Sequence, residues 1–175
     1  MVETMAEHSL TSSRLLITLC VAALSILQTA CGENPTVPDR FTYREQTRNE
    51  TLLLDPKAAT ISDGHIVQGF ASCNDEFICV RSPRLFVVIP RSIDGRQQWS
   101  MDGRDFRVVG KETITLDGRP IETYKVESAF EGIRAWFNFS PEAGLVAFGA
   151  SSNQGAANYK LDGTCGYGAK VCPKA

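Results

Sequence analysis

The sequence has no excess of charge of one sign. Its 175 residues include 18 Lys+Arg and 20 Asp+Glu, which gives a net charge of −2. Nucleic-acid binding usually requires a strongly positive surface, so this balance argues against a nucleic-acid partner. Hydrophobic residues make up 43% of the chain and charged residues 22%, which is typical of one globular domain rather than of a disordered or fibrous protein.

Residues that commonly carry catalysis are scarce. The chain contains 2 histidines, and His65 is the one that lies beyond the N-terminal segment. It ends the turn-like sequence Ser62-Asp63-Gly64-His65, which favours a surface position over the role of a base. The sequence also lacks the G-x-S-x-G, H-E-x-x-H and G-x-x-x-x-G-K motifs. We therefore expect a protein that is not an enzyme and that binds no cofactor.

Long apolar runs are also lacking, except near the N-terminus. The segment Leu15 to Leu27 carries no charge, follows Arg14 and precedes the small residues Thr29-Ala30. It is shorter than the roughly 20 apolar residues of a transmembrane helix, and this pattern is typical of a secretory signal. We predict that residues 1–30 are a signal peptide and that the protein is exported.

The end of this predicted signal resembles the lipobox of bacterial lipoproteins. In Gln28-Thr29-Ala30-Cys31 a small residue precedes the cysteine, although Gln28 replaces the aliphatic residue that the family prefers. The resemblance implies that Cys31 is the lipid anchor, that residues 31–40 form a Pro-containing tether, and that a membrane is a partner. It also implies a location in the bacterial cell envelope, at the outer membrane facing the periplasm. In the alternative interpretation, Cys31 is lost with the signal or stays a free thiol.

Four cysteines remain after Cys20 and Cys31 are set aside. An even number in an exported chain predicts two disulfides. Short loops close readily, so we favour Cys73 with Cys79 and Cys165 with Cys172 over bridges that tie the C-terminal pair to the first pair. These spacings differ from the short C-x2-4-C pairs of structural zinc sites, and we expect no metal site.

Regular turns after residue 85 predict an antiparallel meander. A two-residue turn at Glu131-Gly132 pairs Phe130 with Ile133 and Val126 with Phe137. A four-residue turn over 141–144 then places Phe137 opposite Phe148 and Phe139 opposite Val146. One face of the hairpins is nearly all apolar, and the other face is polar apart from Trp136.

The same counting extends the meander upstream. A two-residue turn at Asp102-Gly103 pairs Trp99 with Phe106, and a three-residue loop over 117–119 keeps the even-numbered apolar residues of the next strand on one face. Gly110 is expected to bend this long strand. The predicted strands are 97–101, 104–116, 121–130, 133–139 and 145–150.

These strands predict an all-β fold for residues 41–175, which we expect to form a single domain. A sheet with one apolar face has to curl around a core, so we predict a curled antiparallel meander in the form of a half-barrel or small barrel. Leu85 to Ile89 is a further candidate strand. The segment 41–54 is either one short N-terminal helix or two short strands.

One hairpin carries a resemblance to known proteins. The sequences Gly110-Lys111-Glu112 and Thr123 to Val126, followed by Trp136 to Val146 (W-F-x-F-S-P-E-x-G-L-V), resemble the meander of uncharacterised bacterial envelope lipoproteins with half-barrel folds, broadly similar to lipoprotein-carrier domains. The resemblance implies a fold and a compartment. It carries over no catalytic residue.

The candidate binding residues are aromatic. Trp99, Phe106, Phe137 and Phe148 share the predicted apolar face, while Trp136 lies beside Gly149 on the polar face, where packing over a glycine competes with a recognition role. The segment Arg81 to Arg107 is rich in arginine and suits an acidic partner or a solvated cluster. We expect the protein to bind a lipid or apolar ligand on the curled sheet, or alternatively a protein partner, as a periplasmic inhibitor or immunity protein does.

Overall fold

A computed structural model describes residues 37–172, which lie within one compact unit of the chain. The predicted signal peptide and Cys31 lie outside the described residues, together with most of the tether. In this range the structure contains no helix long and apolar enough to cross a membrane.

The described chain folds into β-strands, as the sequence predicts. Ten of them form one antiparallel sheet in the order β4-β3-β2-β1-β12-β11-β10-β9-β8-β7, and β5 pairs with β6 in a separate hairpin. The large sheet is open, because β4 and β7 end it without pairing with each other. The strands are β1 Phe41–Glu45, β2 Thr51–Asp55, β3 Thr60–Ser62, β4 Val67–Gly69, β5 Phe77–Arg81, β6 Phe86–Pro90, β7 Gln98–Met101, β8 Arg104–Leu116, β9 Arg119–Phe130, β10 Ile133–Ser140, β11 Gly144–Ser152 and β12 Gly155–Leu161.

The predicted register of the central hairpins is confirmed. Phe130 pairs with Ile133 and Val126 with Phe137 across the β9–β10 turn. Phe137 also lies opposite Phe148 in β11. At the other end of the meander Trp99 pairs with Phe106, and their rings stack with centroids 5.7 Å apart.

The predicted three-residue loop between β8 and β9 is wrong. Leu116 pairs with Arg119, so the turn has two residues, and both Asp117 and Gly118 have positive φ angles of 46° and 75°, as a type I′ turn requires. The extra residue lies instead in a β-bulge between Val108 and Gly110. A bulge inverts the faces beyond it, so Ile114 and Leu116 lie on the face opposite to Phe106.

A second bulge corrects the predicted pairing of Phe139. This residue lies opposite Leu145 rather than Val146, because the register shifts after Asn138 and the loop contains residues 141–143. This second bulge leaves the apolar side of the β10–β11 hairpin intact, since Phe139 and Val146 remain buried.

The ambiguous segment 41–54 forms the two strands β1 and β2, with Phe41 opposite Leu54. Strand β12 is not among the strands predicted from the sequence; it pairs with both β11 and β1 and so connects the meander to the first strands. The burial of β1 alternates, with Phe41, Tyr43 and Glu45 buried and the residues between them more exposed. Such alternation is typical of a strand with one buried face.

The β5–β6 hairpin covers the apolar face of the meander. The candidate strand at Leu85 to Ile89 is confirmed as β6, within one residue at each end. The Trp99 indole Nε1 donates a hydrogen bond to the Val88 carbonyl oxygen at 3.0 Å, and Phe86 stacks on Phe106 with centroids 6.3 Å apart. The core of the domain therefore lies between the meander and this hairpin.

Both predicted disulfides are confirmed. Cys73 is bonded to Cys79, and Cys165 is bonded to Cys172. The second bridge closes a loop in which the Tyr167 amide donates to the Tyr43 hydroxyl, which itself donates to the Leu145 carbonyl. Burial raises the pKa of the Tyr43 hydroxyl, which keeps it protonated as a donor.

Candidate functional site

A broad concavity lies on the polar face of the meander. We call it the Trp136 cleft, and it has a volume of about 940 Å³. The pairing of β7 to β11 places Gln98, Arg107, Glu127, Trp136 and Gly149 in one row across this face. Ser100, Asp105, Ala129, Arg134 and Ser151 form the neighbouring row. All of these residues except Gly149 line the cleft.

Trp136 lies over the glycine that the sequence places beside it. A Cβ atom on Gly149 would come within 2.7 Å of Trp136 Cε2, and equally close to the Ala157 carbonyl oxygen and Asn158 Oδ1. The indole therefore occupies space that any other residue at position 149 would fill. The remaining part of the half-buried ring lines the cleft.

A buried carboxylate supports the strand beneath the indole. Glu45 is 4% exposed and accepts hydrogen bonds from the amides of Thr47, Arg48 and Asn158 at 2.6, 2.5 and 3.2 Å. Burial alone would raise the pKa of this carboxyl, but these bonds and that of the Thr47 hydroxyl outweigh it and lower the pKa to about 2. The ionised Glu45 thus fixes the backbone of Asn158, whose side chain lies beside Gly149.

The charged groups of the cleft are largely uncommitted. Among residues 37–172, Arg107, Glu127 and Arg134 take part in no ion pair and in no side-chain hydrogen bond. Asp105 accepts a hydrogen bond from the Ser100 hydroxyl at 2.5 Å. The two guanidinium groups are therefore free to bind an anion from solvent.

The other four aromatic candidates lie on the opposite face and are buried. Trp99, Phe106, Phe137 and Phe148 are 8%, 1%, 2% and 4% exposed, respectively. They pack in the core, where Trp99 and Phe106 contact the β5–β6 hairpin and Phe148 contacts Tyr43 and Tyr159. The structure thus brings these four together as predicted, and it separates them from Trp136.

The arginines from Arg81 to Arg104 do not form a single basic surface. Arg81 pairs with Asp102 at 2.7 Å, and Arg84 pairs with Asp63. Arg104 lies between two rings, 4.0 Å from the Phe86 centroid and 4.4 Å from that of Phe130. These arginines therefore have structural contacts, and Arg107 is the arginine of this segment that lines the cleft.

His65 is exposed in the turn between β3 and β4, where its backbone amide donates to Asp63 Oδ1 at 3.0 Å. Within the described range there is no group of three or more His, Cys, Asp or Glu side chains arranged to hold a metal ion.

Comparison of the chain with protein-family models, with curated proteins and with solved structures gave no match.

Several residues of the cleft were not singled out from the sequence. The register that pairs Val126 with Phe137 also places Glu127 opposite Trp136, but a polar sheet face is ordinarily a solvated surface and gives no signal of a site. The strand register contains the information needed to find these residues, because the β7–β8 register that pairs Trp99 with Phe106 also pairs Gln98 with Arg107. Continuing that row through Glu127 would have identified the charged surroundings of the indole.

Proposed function

We propose that this protein is a non-enzymatic, exported binding protein of the bacterial envelope that recognises its ligand or partner at the Trp136 cleft. In this proposal lipid on Cys31 holds the protein on the membrane, and the two disulfides suit an oxidising compartment. The sheet presents the cleft to the periplasm.

One observation carries the proposal. The aromatic residues of the apolar face are buried in the protein's own core, whereas the polar face has a cleft with a part-exposed indole and uncommitted charges. Binding sites combine a surface that a ligand can contact with a few polar groups that orient it. Binding in the apolar interior, which the sequence suggested, therefore has less support than binding at the polar face.

A protein partner is the second candidate, and the edge strand β7 favours it. Trp99 and Met101 turn their backbone groups toward β8, so the alternation of an antiparallel ladder leaves those of Gln98 and Ser100 pointing outward. Both residues are exposed and line the cleft. An extended segment of a partner could add to this edge as a further strand.

Site-specific photo-crosslinking in the native envelope tests the proposal. A photoreactive residue at Gln98 or Ser151 is placed in the cleft, and the same residue at Lys57 or Arg119, both exposed elsewhere, is the control. We expect discrete adducts from the two cleft positions and none from the controls.

Lipid analysis of the purified domain tests the alternative that the apolar core binds a lipid. The purified domain without its N-terminal anchor should hold no lipid by its acyl chains in the apolar core. A lipid bound there by its acyl chains, or adducts that form equally from all four positions, would contradict recognition at the cleft.

A further inference from the structure

We infer that the Trp136 cleft binds a saccharide that carries an anionic group, a carboxylate or a phosphate on or beside a sugar ring. This inference rests on the proposed function and specifies the class of ligand. The argument uses the indole, its polar surroundings and the two uncommitted guanidinium groups.

The indole is isolated from other exposed apolar side chains in the cleft. Apart from Trp136 and the buried Trp99 and Phe106, the lining consists of charged, amide, hydroxyl and alanine side chains. The core of a protein–protein interface generally concentrates several apolar and aromatic residues. A single aromatic ring with a polar rim suits a ligand that has one apolar face and hydroxyl groups at its edge, as a sugar ring does.

The polar rim matches the edge of a sugar. Gln98 and Ser151 can donate to and accept from hydroxyl groups, while Glu127 can accept from hydroxyl or amide hydrogens. These side chains are exposed in the free protein, so they give up few intramolecular hydrogen bonds when they bind a ligand.

The guanidinium groups specify the anionic part. Arg134 precedes Trp136 by two residues on the same face, and Arg107 lies in the Trp136 row one strand beyond Glu127. Strands lie about 4.8 Å apart, so Arg107 is roughly 10 Å from Trp136 across the sheet. This spacing corresponds to the length of a disaccharide, which could stack on the indole and reach an arginine with its anionic group. Arginine forms bidentate bonds with both carboxylates and phosphates.

The two tryptophans of the chain provide a direct assay. Trp99 is buried in the core and Trp136 lines the cleft, so a ligand in the cleft changes the emission of Trp136. Three disaccharide probes are titrated into the mature domain. They are a muramic-acid disaccharide with a carboxylate, a deacylated glucosamine disaccharide with phosphates, and neutral N,N′-diacetylchitobiose.

We expect saturable emission changes with one or both anionic probes and at least ~10-fold weaker binding of the neutral probe. Binding of the carboxylate probe identifies a wall glycan as the source, and binding of the phosphate probe identifies a glycolipid headgroup. Affinity should decrease as salt is raised, because exposed charges are screened.

Variants separate the contributions of stacking and charge. Isothermal calorimetry should show at least ~10-fold loss of affinity for Trp136→Ala and partial recovery for Trp136→Tyr, which keeps a ring. The pair Arg107→Gln and Arg134→Gln should lose the preference for the anionic probes, whereas Arg119→Gln, an exposed arginine outside the cleft, should bind as the wild type does. A far-UV circular dichroism spectrum and a melting temperature unchanged from the wild type show that each variant is folded.

Two results would overturn the inference: no saturable binding of any probe, or equal binding of the neutral and anionic probes. If the photo-crosslinks at Gln98 and Ser151 then join the cleft to a protein, recognition at the cleft stands and the saccharide does not. If those positions give no adducts either, the proposed function fails as well.

Discussion

Replacing Gly149 with alanine tests whether the sheet backbone supports the Trp136 indole. The new Cβ would lie 2.7 Å from Trp136 Cε2, Asn158 Oδ1 and the Ala157 carbonyl oxygen. The two side chains can move, but Ala157 is fixed by its pairing with Ala150 in β11. Overpacking of this kind costs about 1–3 kcal/mol. A cost of about 2 kcal/mol lowers the melting temperature of a domain of this size by roughly 5–10 °C.

Differential scanning calorimetry and tryptophan emission measure the two effects of this substitution. We expect the lower melting temperature together with a red shift, because the displaced indole of Trp136 becomes more exposed. Gly110→Ala is the matched control, since a Cβ there has no atom within 4 Å, and its effect should stay within about 0.5 kcal/mol. If Gly149→Ala melts like the wild type with unchanged emission, Trp136 does not rest on Gly149.

Three further predictions concern the supporting structure. Glu45→Gln should lower the urea midpoint at pH 7. Because the folded pKa of Glu45, about 2, lies below its ordinary value, the gap to the wild type should persist above pH ~4.5 and close as the pH falls toward 2; a gap that is constant with pH would refute this. Trp99→Phe should cost about 2–3 kcal/mol in chemical denaturation, because the Val88 carbonyl loses its donor and the core loses volume, and a neutral effect would contradict that packing. Serines at Cys165 and Cys172 should cost about 2.5 kcal/mol for so short a loop, and hydrogen exchange should show the loss of protection concentrated around that loop rather than spread over the domain.

The pairing of the central strands was predictable because each turn fixes a register and each register fixes a face. Phe130 and Val126 have their predicted partners, since two-residue turns with Asp-Gly or Glu-Gly leave little freedom. The bulges were not predictable by the same counting. A three-residue loop and a two-residue turn with a bulge each add one residue between the strands. Counting odd and even positions fits both, so it shows neither where the extra residue lies nor which face the residues after Val108 occupy.

The remaining gaps have similar physical causes. The strand β12, with the sequence GAANYKL, combines small and polar residues and lacks a clear alternation, so its place beside β1 depends on pairing that the local sequence does not encode. The inner aromatics were identified as one face, but whether Phe137 and Phe148 line a cavity or fill a core depends on what covers them. They fill a core, because Phe137 packs against Phe106 and Phe148 packs against Tyr43 and Tyr159. Phe106 is covered by Phe86 of the β5–β6 hairpin, whose position depends on distant contacts such as that of Trp99 with Val88.

Oxidative footprinting of the two tryptophans, in the bacterial envelope where we propose that the protein acts and in the purified protein, tests the central claim most directly. Trp99 is buried and serves as an internal reference of low reactivity in both samples, while Trp136 lines the cleft. If the polar face is the recognition surface, oxidation of Trp136 relative to Trp99 is several-fold lower in the envelope than in the purified protein. Equal oxidation of Trp136 in the two samples would contradict recognition at the cleft.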